Sequence, residues 1–279
     1  MSEVAGSPFT VGMGPLCLKI DPSGKFAYVT NGVSRSVSAY SINATTGALT
    51  EIVGSPFMVG SAMPVSMAIH PSGKFAYLAH DSTGNPKGTI TTYAINATTG
   101  ALTSVGVRAG AIQSGTITVE PSGKFAYLID GGGLPPTGGG VLAYTINATT
   151  GELSEVAGSP FAASRRPNSI AIDPSGKFAY VTGYLNLDSV VAAFTINPTT
   201  GALSEIAGPY AGGESAQSVS VDDSGKFVYV IHGNDNDNSN GIFGFTINTT
   251  TGALSNPREL VAFGSFNSAN YLTANRRSQ

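Results

Sequence analysis

Two of the chain's three histidines sit beside groups that could serve hydrolytic chemistry. His80 is followed by Asp81, His232 and Asp130 fall at matching places elsewhere, and Arg165-Arg166 is an adjacent cationic pair. An imidazole can take the proton of an attacking water, a carboxylate can orient it, and a guanidinium can hold the oxyanion formed at a carbonyl. On that chemistry His80 or His232 is the candidate base, Asp130 its orienting carboxylate, and Arg165 or Arg166 the oxyanion partner. Asn31, Asp81, Tyr184, Asp188 and Glu214 are candidate ligand contacts in neighbouring segments. The plainer reading makes all of these solvated polar loop residues.

Three other segments imitate known sites. The run from Asp235 through Asp237 to Gly241 alternates oxygen ligands like a calcium loop, but its glycine is one place late and Thr246 stands where a bidentate glutamate belongs. A polar loop is expected there, with no metal and no cofactor. Ser-Gly-Lys at Lys25 and its sister positions is no phosphate loop, because phenylalanine follows the lysine and the segment reads as a hairpin. The glycine-rich stretch Gly131 to Gly140 is broken by Pro135-Pro136 and precedes a strand, so it reads as an insertion.

What must position the candidates is a repeat. Ser-Gly-Lys-Phe recurs with its lysine at Lys25, Lys74, Lys124, Lys177 and Lys226. Ile-Asn-x-Thr-Thr-Gly recurs in step, with its glycine at Gly47, Gly100, Gly151, Gly201 and Gly252. Self-similarity near 50 residues with turn signals between short alternating segments describes an all-β array. Each unit reads as four antiparallel strands. Strand A ends at Ile20, the Asp21-Pro22-Ser23-Gly24 turn follows, strand B starts at Lys25, strand C runs Ser36 to Ile42, and strand D opens at Ala48. Four strands in a repeat of this length is the blade of a β-propeller.

The expected domain is a single propeller over 1–279, with repeats near 14–62, 63–111, 112–164, 165–213 and 214–260. The ends, 1–13 and 261–279, would belong to a split or incomplete further blade, since Ser2 to Phe9 repeats Ser154 to Phe161 letter for letter. Unclosed blade edges would favour self-association. In such a meander the A–B and C–D turns share one end and the B–C and D–A connections the other. The first set is nearly uniform in sequence and the second differs in every copy, so function is expected on the B–C/D–A end.

Composition removes several classes. Only 11% of residues are charged, against about 25% in an average domain. The 14 basic and 17 acidic residues are dispersed, which argues against nucleic acid. No apolar run reaches the roughly 18 residues of a membrane span. One cysteine, Cys17, excludes an internal disulfide, and its place in strand A predicts burial. The N-terminus lacks the features of a signal peptide, which fits a cytoplasmic chain, or an extracellular one if it is N-terminally truncated.

The block Asp21-Pro22-Ser23-Gly24-Lys25 followed by Phe26-Ala27-Tyr28-Val29-Thr30-Asn31-Gly32 resembles the YVTN-repeat, lactonase-type β-propeller family, which includes 6-phosphogluconolactonase. The Thr-Thr-Gly-Ala-Leu turn and the Gly-Ser-Pro-Phe connector fit it too. The resemblance implies a propeller, typically of seven blades, and a lactone hydrolase with a sugar-lactone substrate. Family enzymes often start strand A with Pro-Arg-His and end strand B with Asn-Glu. Here the starts read Pro15-Leu16-Cys17, Pro64-Val65-Ser66 and Pro167-Asn168-Ser169, and the first strand B ends Asn31-Gly32. The expectation drawn from these residues is a binding scaffold for a ligand, protein or glycan at the variable end. A lactonase is the alternative, and a nonfunctional piece of a longer array the second.

Overall fold

The repeated turns show why the chain folds as it does. In each A–B turn an acceptor side chain caps the backbone N–H of the serine two residues on: Asp21 to Ser23 at 3.0 Å, Glu120 to Ser122 at 2.7 Å, Asp173 to Ser175 at 3.0 Å and Asp222 to Ser224 at 3.1 Å. The second copy replaces the acid with His70, whose Nδ1 accepts from Ser72 N at 3.0 Å. In each C–D turn the asparagine plays the same part, with Asn43 Oδ1 accepting from Thr45 and Thr46, both at 3.0 Å. The glycine closing that turn is left-handed in all five copies, φ +73° at Gly47 and +76° at Gly252.

The computed structural model describes residues 3–81, 88–111, 113–132, 139–163, 165–185, 188–206, 208–212, 215–233 and 240–263. Five antiparallel sheets follow one another, and no helix occurs among the described residues. Their A, B and C strands are Pro15–Ile20, Phe26–Asn31 and Ser36–Ile42 in the first sheet, and Met63–Ile69, Phe75–Asp81 and Thr89–Ile95 in the second. The third has Ser114–Val119, Phe125–Asp130 and Gly140–Ile146, and the fourth Arg165–Ile172, Phe178–Leu185 and Asp188–Ile196. The fifth has Ala216–Val221, Phe227–His232 and Asn240–Ile247. In the first, third and fourth sheets strand D is broken in two, as in Leu49–Glu51 and Phe57–Met58, and both pieces pair strand C. In the second and fifth it is continuous, Leu102–Ala109 and Leu254–Phe263. Val261–Phe263 therefore extend the fifth sheet. Residues 3–9 form no strand but repeat the turn of their sister segments, Ser7 N to Val4 O at 3.0 Å matching Ser55 N to Ile52 O at 2.9 Å.

The chain forms two compact units, Met1–Val119 with Ile146–Leu153, and Glu120–Thr145 with Ser154–Gln279. The core of the first packs Phe26, Tyr28, Met67, Leu78 and Tyr93 between sheets, with Cys17 among them as expected. The second holds two cores of the same kind, one around Tyr127, Ile170 and Phe194 and one around Tyr180, Val219 and Phe245.

One joint recurs within each unit and explains why the two sequence markers keep step. A Cβ placed on Gly100 would lie 2.5 Å from the Phe26 ring, on Gly151 2.6 Å from Phe75, on Gly201 2.4 Å from Phe125, and on Gly252 2.3 Å from Phe178. The phenylalanine of one repeat is thus seated on the turn glycine of the next. Tyr28, Tyr127 and Tyr180 add a hydrogen bond from the phenol to the carbonyl of the same glycine, at 2.8, 3.0 and 3.0 Å. On the inner strands, Ser66 Oγ accepts from Ile117 N at 3.2 Å and Ser169 Oγ from Val219 N at 3.3 Å.

Candidate functional site

The sequence-predicted candidates share one address. Asn31, His80, Asp130 and His232 are each the fifth residue after the strand-B phenylalanine. All four lie inside strand B rather than beyond it, as the loop reading had them. Opposite this address strand A shifts register in the first, second and fifth sheets, between Pro15 and Cys17, Pro64 and Ser66, and Ala216 and Ser218, and in the fourth, opposite Gly183, between Arg165 and Ser169. Bulges of this kind re-aim side chains and gather near active sites.

Backbone strain falls at the same end. Among the described residues the non-glycine positions with left-handed φ are Arg35 (52°), Arg166 (46°) and Ser215 (49°), the first in a B–C connection and the others where strand A begins. The A–B and C–D turns confine positive φ to glycine. Such strain costs about 1–3 kcal/mol per residue and persists where structure over-determines it, often at ligand sites.

In the first unit, His80 is 1% exposed and its Nε2 lies 3.1 Å from Thr91 Oγ1 on the adjacent strand. Burial holds its pKa below the ordinary imidazole value, opposed in part by a backbone contact with Ala62. Asp81 follows it, half-buried. Asn31 is fully buried, and its Nδ2 donates to Ser36 Oγ and Ser38 Oγ at 3.2 and 2.9 Å. Gly12 covers it, for a Cβ on that glycine would come within 2.7 Å of the Asn31 amide. These contacts correct the picture of Asn31 and His80 as solvent-facing loop groups: both are interior polar residues, satisfied at least in part within their own sheet.

The second unit offers the better-connected set. Asn168, in the strand-A bulge, donates from Nδ2 to Ala216 O at 2.6 Å and accepts from Thr182 Oγ1 at 2.5 Å. Ala216 N in turn donates to Ser189 Oγ at 2.9 Å, and Ala216 pairs His232 across the sheet. His232 is 5% exposed and lies edge-on to Phe243, ring centroids 4.8 Å apart. Arg166, two residues before Asn168, is exposed. Arg165 and Arg166 belong to strand A itself, not to the preceding connector, and the backbone pairs Arg165 with Tyr184 and Leu185 with Asp188. Asp130 turns back on its own loop, Oδ1 accepting from Gly132 N at 3.0 Å. Arg108 lies in strand D of the second sheet and donates to Leu153 O at 3.1 Å. Glu214, Asp235 and Asp237 lie outside the described residues. Among the described residues no three His, Cys, Asp or Glu side chains gather as metal ligands, and no helix is long and apolar enough to cross a membrane. Asn168, Thr182 and Ser189 escaped the sequence reading, because single polar residues in strands carry no spacing signal.

The family model described as Lactonase, 7-bladed beta-propeller matches the chain in overlapping stretches, residues 1–129, 76–184, 131–233 and 156–268. The chain belongs to this family. Its lactonase-type propeller fold also matches the periplasmic gluconolactonase of Pseudomonas aeruginosa with a TM-score of 0.70 at 18% identity, over 86% of this chain and 71% of that one. A Bacteroides fragilis protein proposed to be a 6-phosphogluconolactonase gives a TM-score of 0.60 at 24% identity, over 71% of this chain and 55% of that one. Hydrazine synthase of Kuenenia stuttgartiensis, which is no lactonase by name, gives 0.63 at 17% identity, over 93% and 70%. No curated protein matches the chain in sequence. Likeness at these identities speaks for the fold alone, and one fold hosts many chemistries.

Proposed function

We propose that this lactonase-type propeller hydrolyses a sugar lactone at the B–C/D–A end of its fourth and fifth sheets. The observation that carries the reading is the lactonase family match through residue 268, which spans both sheets. The polar set joined through Asn168 and Ala216 supplies the residues. In this reading His232 takes the proton of the attacking water as the C–O bond of the tetrahedral adduct forms. Arg166 meets the oxyanion, and the ring oxygen leaves with the proton returned from His232, opening the lactone to the hydroxy acid. Asn168 positions the strand-A bulge that carries Arg166.

A second reading, ligand binding without turnover, draws on the burial of His80 and His232, at 1% and 5% exposure. Acid release from glucono-lactone and its 6-phosphate, above the spontaneous rate, separates the two. Turnover that Arg166→Ala lowers supports hydrolysis. Saturable binding of the lactone without acid release supports the scaffold, and a folded protein that neither binds nor opens the lactone overturns the site proposal.

A further inference from the structure

The joint that seats phenylalanine on glycine is built four times from two halves, and one of each half stands open. Phe26, Phe75, Phe125 and Phe178 are 6%, 7%, 4% and 5% exposed, whereas Phe227 in the fifth sheet is 39% exposed. Phe227 stacks on Tyr229, centroids 6.4 Å apart, and the two hold the places in strand B that Phe26 and Tyr28 hold in the first sheet. The opposite half lies in the first sheet. Gly47 has the same left-handed φ as its sisters, but a Cβ there would meet only Val4, at 3.6 Å. Val4 stands where Ile52 stands at Gly100 and Ile206 at Gly252, so the aliphatic wall of the seat is present and the aromatic ring is not. The strand-A face beside it is open too. Leu18 is 55% exposed, while its sister positions Met67, Ile117, Ile170 and Val219 are 0%, 1%, 4% and 5% exposed.

We propose that the chain self-associates head to tail, the fifth sheet of one copy docking on the first sheet of a second copy through this same joint. Phe227 enters the seat at Gly47 and the Tyr229 phenol reaches the Gly47 carbonyl, while Leu18 and Ile20 pack against the incoming sheet. The occupant is a second copy because the open halves are complements of one another, and four occupied examples in this chain show what fills each. The contact is heterologous, so it leaves one free half at each end of a dimer and permits longer assemblies.

Light scattering and sedimentation across a concentration series test this on the whole chain. We expect a mass that climbs above the monomer with concentration. Phe227→Asp and Leu18→Asp should each weaken association roughly tenfold or more, as loss of a central apolar anchor does. Mixed together, the two variants should form a 1:1 pair that grows no further, because each keeps the half the other has lost. Circular dichroism confirms folding, and Ile20→Asp replaces Leu18→Asp if the latter does not fold. A wild type that stays monomeric to high micromolar concentration overturns the proposal and leaves these faces to some other partner. So does a folded Phe227→Asp that associates as the wild type does, or a mixture that stays monomeric.

Discussion

A hydrogen bond repeated three times and missing once makes the residue scale testable. The phenols of Tyr28, Tyr127 and Tyr180 each donate to a turn carbonyl, while the Tyr77 hydroxyl is buried with no partner. Burial pushes all four phenols up, so each stays protonated through the useful pH range. Tyr28→Phe should therefore cost about 1 kcal/mol in urea unfolding, and Tyr77→Phe should be neutral or stabilising. His80 sets a pH dependence of known sign. Its folded pKa lies below the unfolded value of 6.5, so the unfolded chain binds more protons as acid is added. The stability tied to neutral His80 is complete above that value and lost progressively as pH falls through it. Thermal midpoints between neutral and mildly acidic pH should fall for the wild type and flatten for His80→Gln. The sequence placed His80, Asp130 and His232 at one address, because the markers fix the register of strand B. It did not reveal the burial of the two histidines. Strand alternation tells which face a residue occupies, not whether the next sheet covers that face.

Elements explain why one end of each sheet can carry function and the other cannot. The A–B and C–D turns are closed by side-chain caps and glycines, and a Cβ at Gly201 would strike the Phe125 ring at 2.4 Å, whereas one at Gly24 would meet nothing within 4 Å. Both glycines have left-handed φ, so Gly24→Ala should cost only the conformational penalty of about 1–2 kcal/mol, and Gly201→Ala distinctly more in the same unfolding assay. At the other end Arg166 bears the strain itself at φ 46°. Arg166→Gly should raise stability, by up to about 1 kcal/mol, while lowering lactone turnover. The uniform turns were legible in the sequence because each uses Asn, Gly or a Pro–Ser–Gly run for a local reason. The bulge opposite strand B was not, since a register shift depends on the partner strand.

At the scale of the whole molecule, the family is described as seven-bladed and the described residues form five sheets. The markers made the blades legible, but the open place at Phe227 is recognised only once the other four rings are seen seated on glycine. The lactonase reading draws on the family and on the residues joined through Asn168, so its decisive test compares histidines that stand at one address in different sheets. Initial rates of glucono-lactone opening, corrected for the spontaneous reaction, should fall by about 100-fold or more in His232→Ala, the usual loss for a general base. His80→Gln, held as an interior residue bonded to Thr91, should keep a rate near wild type when both are assayed folded at neutral pH. Equal loss in both variants, or a folded wild type no faster than buffer, would contradict the account.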